Sequence, residues 1–251
     1  MHDRRSRSTI LVLAIACLTA GAFANLPIAR AAKKDKTPDR VWTNPDFASS
    51  GVDRIALVPV ATYDGNLQAV SLVEGALGQA LRPTGYRWIG STSVRDILRA
   101  QAGGDSLLKL VAARLLTDPR VDSLAAPRVC GMLHCDALLS VRVDQWEQQT
   151  PEWNQRGTPT TTVQMHAALV DSRGRLLWTA ASSQTSDGPY YDPNAAIHGV
   201  KDSGLDRAPI TGQGGAPSYR EVVTLVVARW APRFPVKVAP PPAADSTTVV
   251  R

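Results

Sequence analysis

Between Asp136 and Ser183 apolar and polar residues alternate in three successive runs: Leu139, Val141, Val143; then Val163, Met165, Ala167, Leu169; then Leu176, Trp178, Ala180. A period of two marks a strand buried on one face, because successive side chains point to opposite sides of a sheet. Asp171-Ser172-Arg173-Gly174, between the last two runs, supplies residues that tolerate the positive φ of a tight reversal. The stretch predicts an antiparallel meander.

Upstream the pattern changes. Residues 54–61 are almost continuously apolar, which predicts a central strand covered on both faces. Pro59, with no N–H to donate, belongs near its end or at a bulge. Asn66 is placed to cap a helix whose apolar positions Val70, Val73, Leu77 and Leu81 follow helical spacing, and which stops near Pro83-Thr84-Gly85. Tyr86 to Ile89 reads as a second strand. Ser93 and Asp96 have the spacing of a capping box for a helix over 94–101. Gly103-Gly104 interrupts it, Asp105 opens another helix over 106–116, and a short one is expected within 121–133. Residues 184–217 are rich in Gly, Pro and Asp without periodicity and read as a long loop, a kind that is either functional or mobile. Tyr219 to Trp230 is amphipathic and forms the last helix. Pro232, Pro235 and the run Pro240 to Pro242 end it, ahead of a disordered, Pro-rich tail over 236–251.

The expected fold class is α/β (α+β): a single domain over 51–235 with one mixed sheet, an antiparallel C-terminal meander and flanking helices. A chain of 251 residues can bury a sizeable core of this kind. The net charge of +6 invites a nucleic-acid reading until it is divided along the chain. Residues 1–40 hold eight Lys/Arg against three Asp, leaving 20 basic and 19 acidic side chains for the other 211 residues. The body is therefore nearly neutral and lacks the concentrated basic face that nucleic-acid binding requires.

Arg4, Arg5 and Arg7 precede an apolar run from Ile10 to Ala24, the charge and length pattern of an export signal, and too short to span a membrane comfortably. Ala22-Phe23-Ala24 fits a small-x-small cleavage site, which would make 1–24 a signal peptide and 25–50 a flexible basic arm. The alternative is lipidation of Cys17, whose preceding Ala16 suits that motif while Ala14 replaces its usual leucine. Both readings place the body in the periplasm or anchored in the bacterial envelope. That compartment is oxidising, so Cys130 and Cys135, the two cysteines left, are a candidate disulfide. In a continuous helix residues five apart lie ~140° apart around the axis and cannot bond, so Gly131 is expected to break the helix between them. Free buried thiols, or a zinc site recruiting His134, remain open alternatives, the latter short of the four ligands a structural site wants.

Candidate chemistry is sparse. His166 falls opposite the Val163/Met165 side of its strand and reads as a solvated or edge residue. His198 lies in the long loop with Asp187, Asp192 and Asp202, without the spacing of an EF-hand or HExxH site. Thr211 to Ser218 is glycine-rich ahead of a helix but lacks the P-loop lysine. No Gly-x-Ser-x-Gly elbow is present. Asp144 and Glu147, three apart on a strand, are expected on opposite faces, which argues against a carboxylate pair. No catalytic residue, metal or cofactor is therefore expected. Tyr190, Tyr191 and Asp192 are the candidates for contact with a protein partner, since loop aromatics anchor interfaces. Trp146, Trp153 and Trp178, around the meander, read as packing residues.

The order of these elements resembles a group of bacterial envelope lipoprotein families, the curli-secretion, penicillin-binding-protein-activator and related lipoproteins. The residues that carry the resemblance are the opening strand IALVPV, Cys135-Asp136-Ala137-Leu138 with Gly131 displaced, Leu169-Val170-Asp171 with Gly174, and Leu177-Trp178. It covers residues 52–183 and 218–235. It implies a helix-flanked mixed sheet and a non-enzymatic role, as adaptor or accessory subunit, with envelope protein partners. The alternative is a periplasmic module for a small ligand or glycan.

Overall fold

The computed structural model describes residues 39–152, 155–190 and 215–237, all in one unit spanning Lys36–Arg251. Its frame is the meander. β5 (Ala137–Gln149), β6 (Thr160–Asp171) and β7 (Leu176–Asp187) pair antiparallel along nearly their whole length. β2 (Arg54–Leu57) lies parallel to β5 and to β4 (Arg87–Ile89). Past Pro59 the same segment resumes as β3 (Ala61–Thr62), again on β5, so the proline falls in a gap of the ladder where no N–H is needed. At the other edge β1 (Arg40–Thr43) pairs antiparallel with β7. The result is one open, seven-stranded mixed sheet in the order β1-β7-β6-β5-β2-β4, with β3 beside β5. It is a mixed α+β fold.

Five helices are found among the described residues: α1 (Leu67–Leu81), α2 (Ser91–Arg99), α3 (Gly104–Leu115), α4 (Ala125–Leu133) and α5 (Tyr219–Trp230). Asn66 caps α1 as its position implied, accepting the Ala69 N–H at 3.0 Å. The capping box expected at Ser93 does not form. α2 begins three residues earlier than expected, at Ser91 behind Gly90, with no side-chain cap. The box that does form is Ser218 with Glu221 at the start of α5, a Ser-x-x-Glu spacing visible in the sequence.

α1 and α5 cover one face of the sheet, burying Val73, Leu77, Val223 and Trp230 against Leu139, Val141, Met165 and Trp178. On the other face α2, α3 and α4 bury Leu98, Leu107, Val111 and Val129 against Ala56, Ile89, Leu138 and Val170. The last helix is tied down by its aromatics. Trp178 donates its indole N–H to the Arg233 carbonyl at 3.0 Å, and Trp230 donates to Ser182 Oγ at 2.7 Å.

Three boundaries differ from the sequence reading. The arm expected over 25–50 enters the sheet at Arg40 and then forms a short 3-10 turn, Pro45–Ser49, capped by Asn44. The loop expected from Gln184 starts later, because β7 runs on to Asp187 opposite Thr160. Leu176 does not share a face with Trp178: a register shift at Leu177 sends Leu176 toward the α2–α4 side, while Leu177 and Trp178 pack under α5.

Candidate functional site

The two aspartates of the resemblance motifs are structural. Asp136, at the mouth of β5, accepts the backbone N–H groups of Asp53 at 3.0 Å and Arg54 at 2.8 Å, fixing the start of β2. Asp171 closes the β6–β7 turn by accepting from the N–H groups of Arg173 and Arg175 and from Arg175 Nε. Burial raises its pKa, but these donors outweigh that and hold the carboxyl below its ordinary value.

A different cluster sits at a β-bulge in the middle of β5. The pairing of β5 with β6 shifts between Val143 and Gln145, which leaves Asp144 as the extra residue. Before it, odd-numbered Leu139, Val141 and Val143 face α1 and α5; after it, even-numbered Trp146 does, stacked on Tyr219 at 4.3 Å between ring centroids. On the opposite face Arg142 is directly across from His166. Asp144 lies between them: one carboxylate oxygen meets His166 Nδ1 and the other accepts from Arg142 Nε at 2.5 Å. Arg142 Nη1 also donates to the Leu116 carbonyl, shared with the Tyr63 hydroxyl, and its guanidinium lies 5.9 Å from the Tyr63 ring centroid. Burial pushes the Asp144 pKa up, but His166 and Arg142 together bring it below the usual carboxylate value. His166 is thus oriented by its contact with Asp144, at the edge of a cluster that also holds Arg142.

The same bulge overturns the expectation that Asp144 and Glu147 face opposite ways. The extra residue restores Glu147 to the Arg142 face, paired with Thr162, and both carboxylates line one cleft. The cleft encloses about 190 Å³ between Thr62, Tyr63, Asp64 and the Asp144–Glu147 segment. Trp146 also lines it, and its indole N–H is buried without a hydrogen-bond partner.

This face continues across the sheet without a helix over it among the described residues. α2, α3 and α4 pack mainly on β2 and β5, and their apolar cluster takes in Val170 of β6 and Leu176 of β7 near the β6–β7 turn. Beyond Arg142 and His166 the surface consists of Gln145, Glu147, Thr162, Gln164, Ser183 and Thr185, none of them in either hydrophobic cluster. They are joined laterally, Thr162 Oγ1 to Thr185 Oγ1 at 2.9 Å and Gln145 to Glu147 at 2.9 Å. At the far edge Trp42 of β1 is 44% exposed.

The other sequence candidates are placed as follows. Tyr190 follows β7 and is 64% exposed. Tyr191, Asp192, His198, Trp153 and Cys17 lie outside the described residues. Cys130 and Cys135 are both buried as free thiols with their sulfurs 3.4 Å apart, well beyond the ~2.05 Å of a disulfide, so the expected bond is not formed here. Gly131 does not break the helix, which runs to Leu133. His134 does, with φ 49° and ψ 50°. No group of three or more His, Cys, Asp or Glu among the described residues could hold a metal ion.

No protein-family model and no curated protein sequence matches the chain. Several solved structures align with it. The lipoprotein GNA1162 from Neisseria meningitidis aligns at 19% identity over 54% of this chain and 83% of its own, with a TM-score of 0.42. The PelC dodecamer from Paraburkholderia phytofirmans aligns at 17% identity over 78% and 97%, with a TM-score of 0.41. The hypothetical protein CT253 from Chlamydia trachomatis aligns at 13% over 72% and 96%, with a TM-score of 0.34. No helix of the described residues is long and apolar enough to cross a membrane.

Proposed function

We propose that this is an exported protein of the bacterial cell envelope that works without chemistry of its own, as an adaptor or accessory subunit docking a protein partner on the open half of its sheet. One observation carries the reading: among the described residues a wide, polar sheet face, with an oriented Arg142–Asp144–His166 cluster at one side and Trp42 at the other, is left outside both helical layers. Hydrogen-bonding rows rimmed by an aromatic and fixed charges suit a specific, wet protein interface. The signal-like leader supports the location.

The test is crosslinking in the native envelope, comparing wild type with Gln164→Arg/Thr185→Arg and with Tyr190→Ala. The reading expects one discrete partner that is lost in the double arginine variant while its circular dichroism and export stay unchanged. Identical crosslinks in that variant would sink it. A second reading, a small-ligand or glycan module, is favoured by the cleft lined by Trp146, Asp64 and Glu147, where the buried indole N–H of Trp146 has no hydrogen-bond partner. Saturation of that cleft by a soluble cell-wall saccharide, abolished by Trp146→Phe, would establish it instead.

A further inference from the structure

Cys130 sits in the last turn of α4, and His134, the one non-glycine with positive φ among the described residues, turns the chain back on itself. The turn is closed by the Cys135 N–H donating to the Cys130 carbonyl at 3.2 Å. Residues five apart in a continuing helix would point ~140° away from each other. Here the left-handed residue brings both side chains to one side, 3.4 Å from sulfur to sulfur. Both are nearly sealed, at 3% and 7% exposure, against Leu133, Leu138 and the rest of the α2–α4 core. We infer that Cys130 and Cys135 close into an intrachain disulfide in the exported protein, a covalent clamp across the α4–β5 junction. The inference rests on the envelope location proposed above.

The sulfurs need to approach by about 1.4 Å to reach bonding distance, which small side-chain rotations supply without moving the backbone ladder. The order of attack follows from the pair's asymmetry. The hydrogen bond between the two thiols, with Arg54 nearby, lowers the Cys135 pKa, while the same bond and burial push Cys130 up. Opening of the α4 end admits the oxidant, a small-molecule or protein disulfide. The Cys135 thiolate attacks one of its sulfurs, forming a mixed disulfide and expelling one thiolate. Cys130 then gives its proton to solvent and attacks Cys135 Sγ, expelling the second. Two protons and two electrons leave the protein, and the oxidant is reduced to two thiols. The product fixes the left-handed turn immediately before Asp136, the residue that holds the start of β2.

Full-length reduced protein is incubated with oxidised glutathione, acid-quenched, unfolded, alkylated and weighed intact. Protein extracted from the envelope is quenched in the same way. The expected result in both arms is a species two hydrogens lighter that takes no alkyl group at Cys130 or Cys135. Its melting temperature should fall by about 4–8 °C on reduction. The Cys130→Ala/Cys135→Ala variant should show no such response to reductant. Alkylation of both Cys130 and Cys135, or a lasting glutathione adduct on either of them, in the purified arm would overturn the geometry. Closure in that arm with open thiols in the envelope arm would overturn the proposal through its premise of export instead. Should the alanine pair not fold, the mass measurements on the wild type still decide.

Discussion

Gly174 in the β6–β7 turn has φ +80°, and a Cβ there would lie 2.5 Å from Ser123 Cα. Gly174→Ala therefore meets two penalties, left-handed strain and collision with the loop before α4. It should lower unfolding free energy in urea by roughly 2–4 kcal/mol. Beside it, Asp171 has a depressed folded-state pKa because hydrogen bonds from the Arg173 and Arg175 segment outweigh burial. A depressed carboxylate adds stability that is fully present above the unfolded pKa of ~3.9 and is lost as pH falls through the folded value. Wild type should thus lose stability more steeply below about pH 4 than Asp171→Asn, which a pH series of urea midpoints would show. The aspartate and glycine of this turn were legible in the sequence because turn chemistry is local. His134 was not, since a left-handed histidine is imposed by what packs around α4, and Gly131 looked the more natural breaker.

Among the elements, β5 shows how one residue redirects a strand. Apolar positions run odd through Val143 and then resume at even Trp146, a change of parity that is present in the sequence and reports the bulge at Asp144. Reading straight alternation through that point placed Glu147 on the wrong face and left His166 without its partner. The Trp146–Tyr219 stack, with planes 9° apart, joins β5 to the first turn of α5. A double-mutant cycle with Trp146→Leu and Tyr219→Leu should return a coupling of about 0.5–1.5 kcal/mol. Deleting Asp144 should leave that stack in place, because removing the extra residue straightens the ladder with Trp146 still opposite Val163. Retention of the Trp146–Tyr219 cross-peaks in a nuclear Overhauser spectrum would register it. α1, α5 and the meander were readable from period alone. β1 was not: four residues in a charged stretch acquire strand character only by pairing with β7, far along the chain.

For the whole molecule, the fold class followed from the order of elements, since parallel strands joined through helices and a terminal meander leave few arrangements open. The half of the second sheet face that carries no helix among the described residues did not follow. Helical spacing says that α2, α3 and α4 each bury a side, but not how far across the strands that layer reaches.

The short pairing of β1 on β7 also governs how this chain can be shortened. With Arg40 to Thr43 in place, four positions of β7 have their outer backbone groups satisfied, and Asp39 accepts from Ser182 beside them. Starting a recombinant version at Asn44 would bare that rim as an unfilled slot for extended polypeptide, and any second molecule could supply the filling. Such a version should elute as concentration-dependent oligomers in size-exclusion chromatography, whereas one beginning at Lys36 should show no association traceable to that slot.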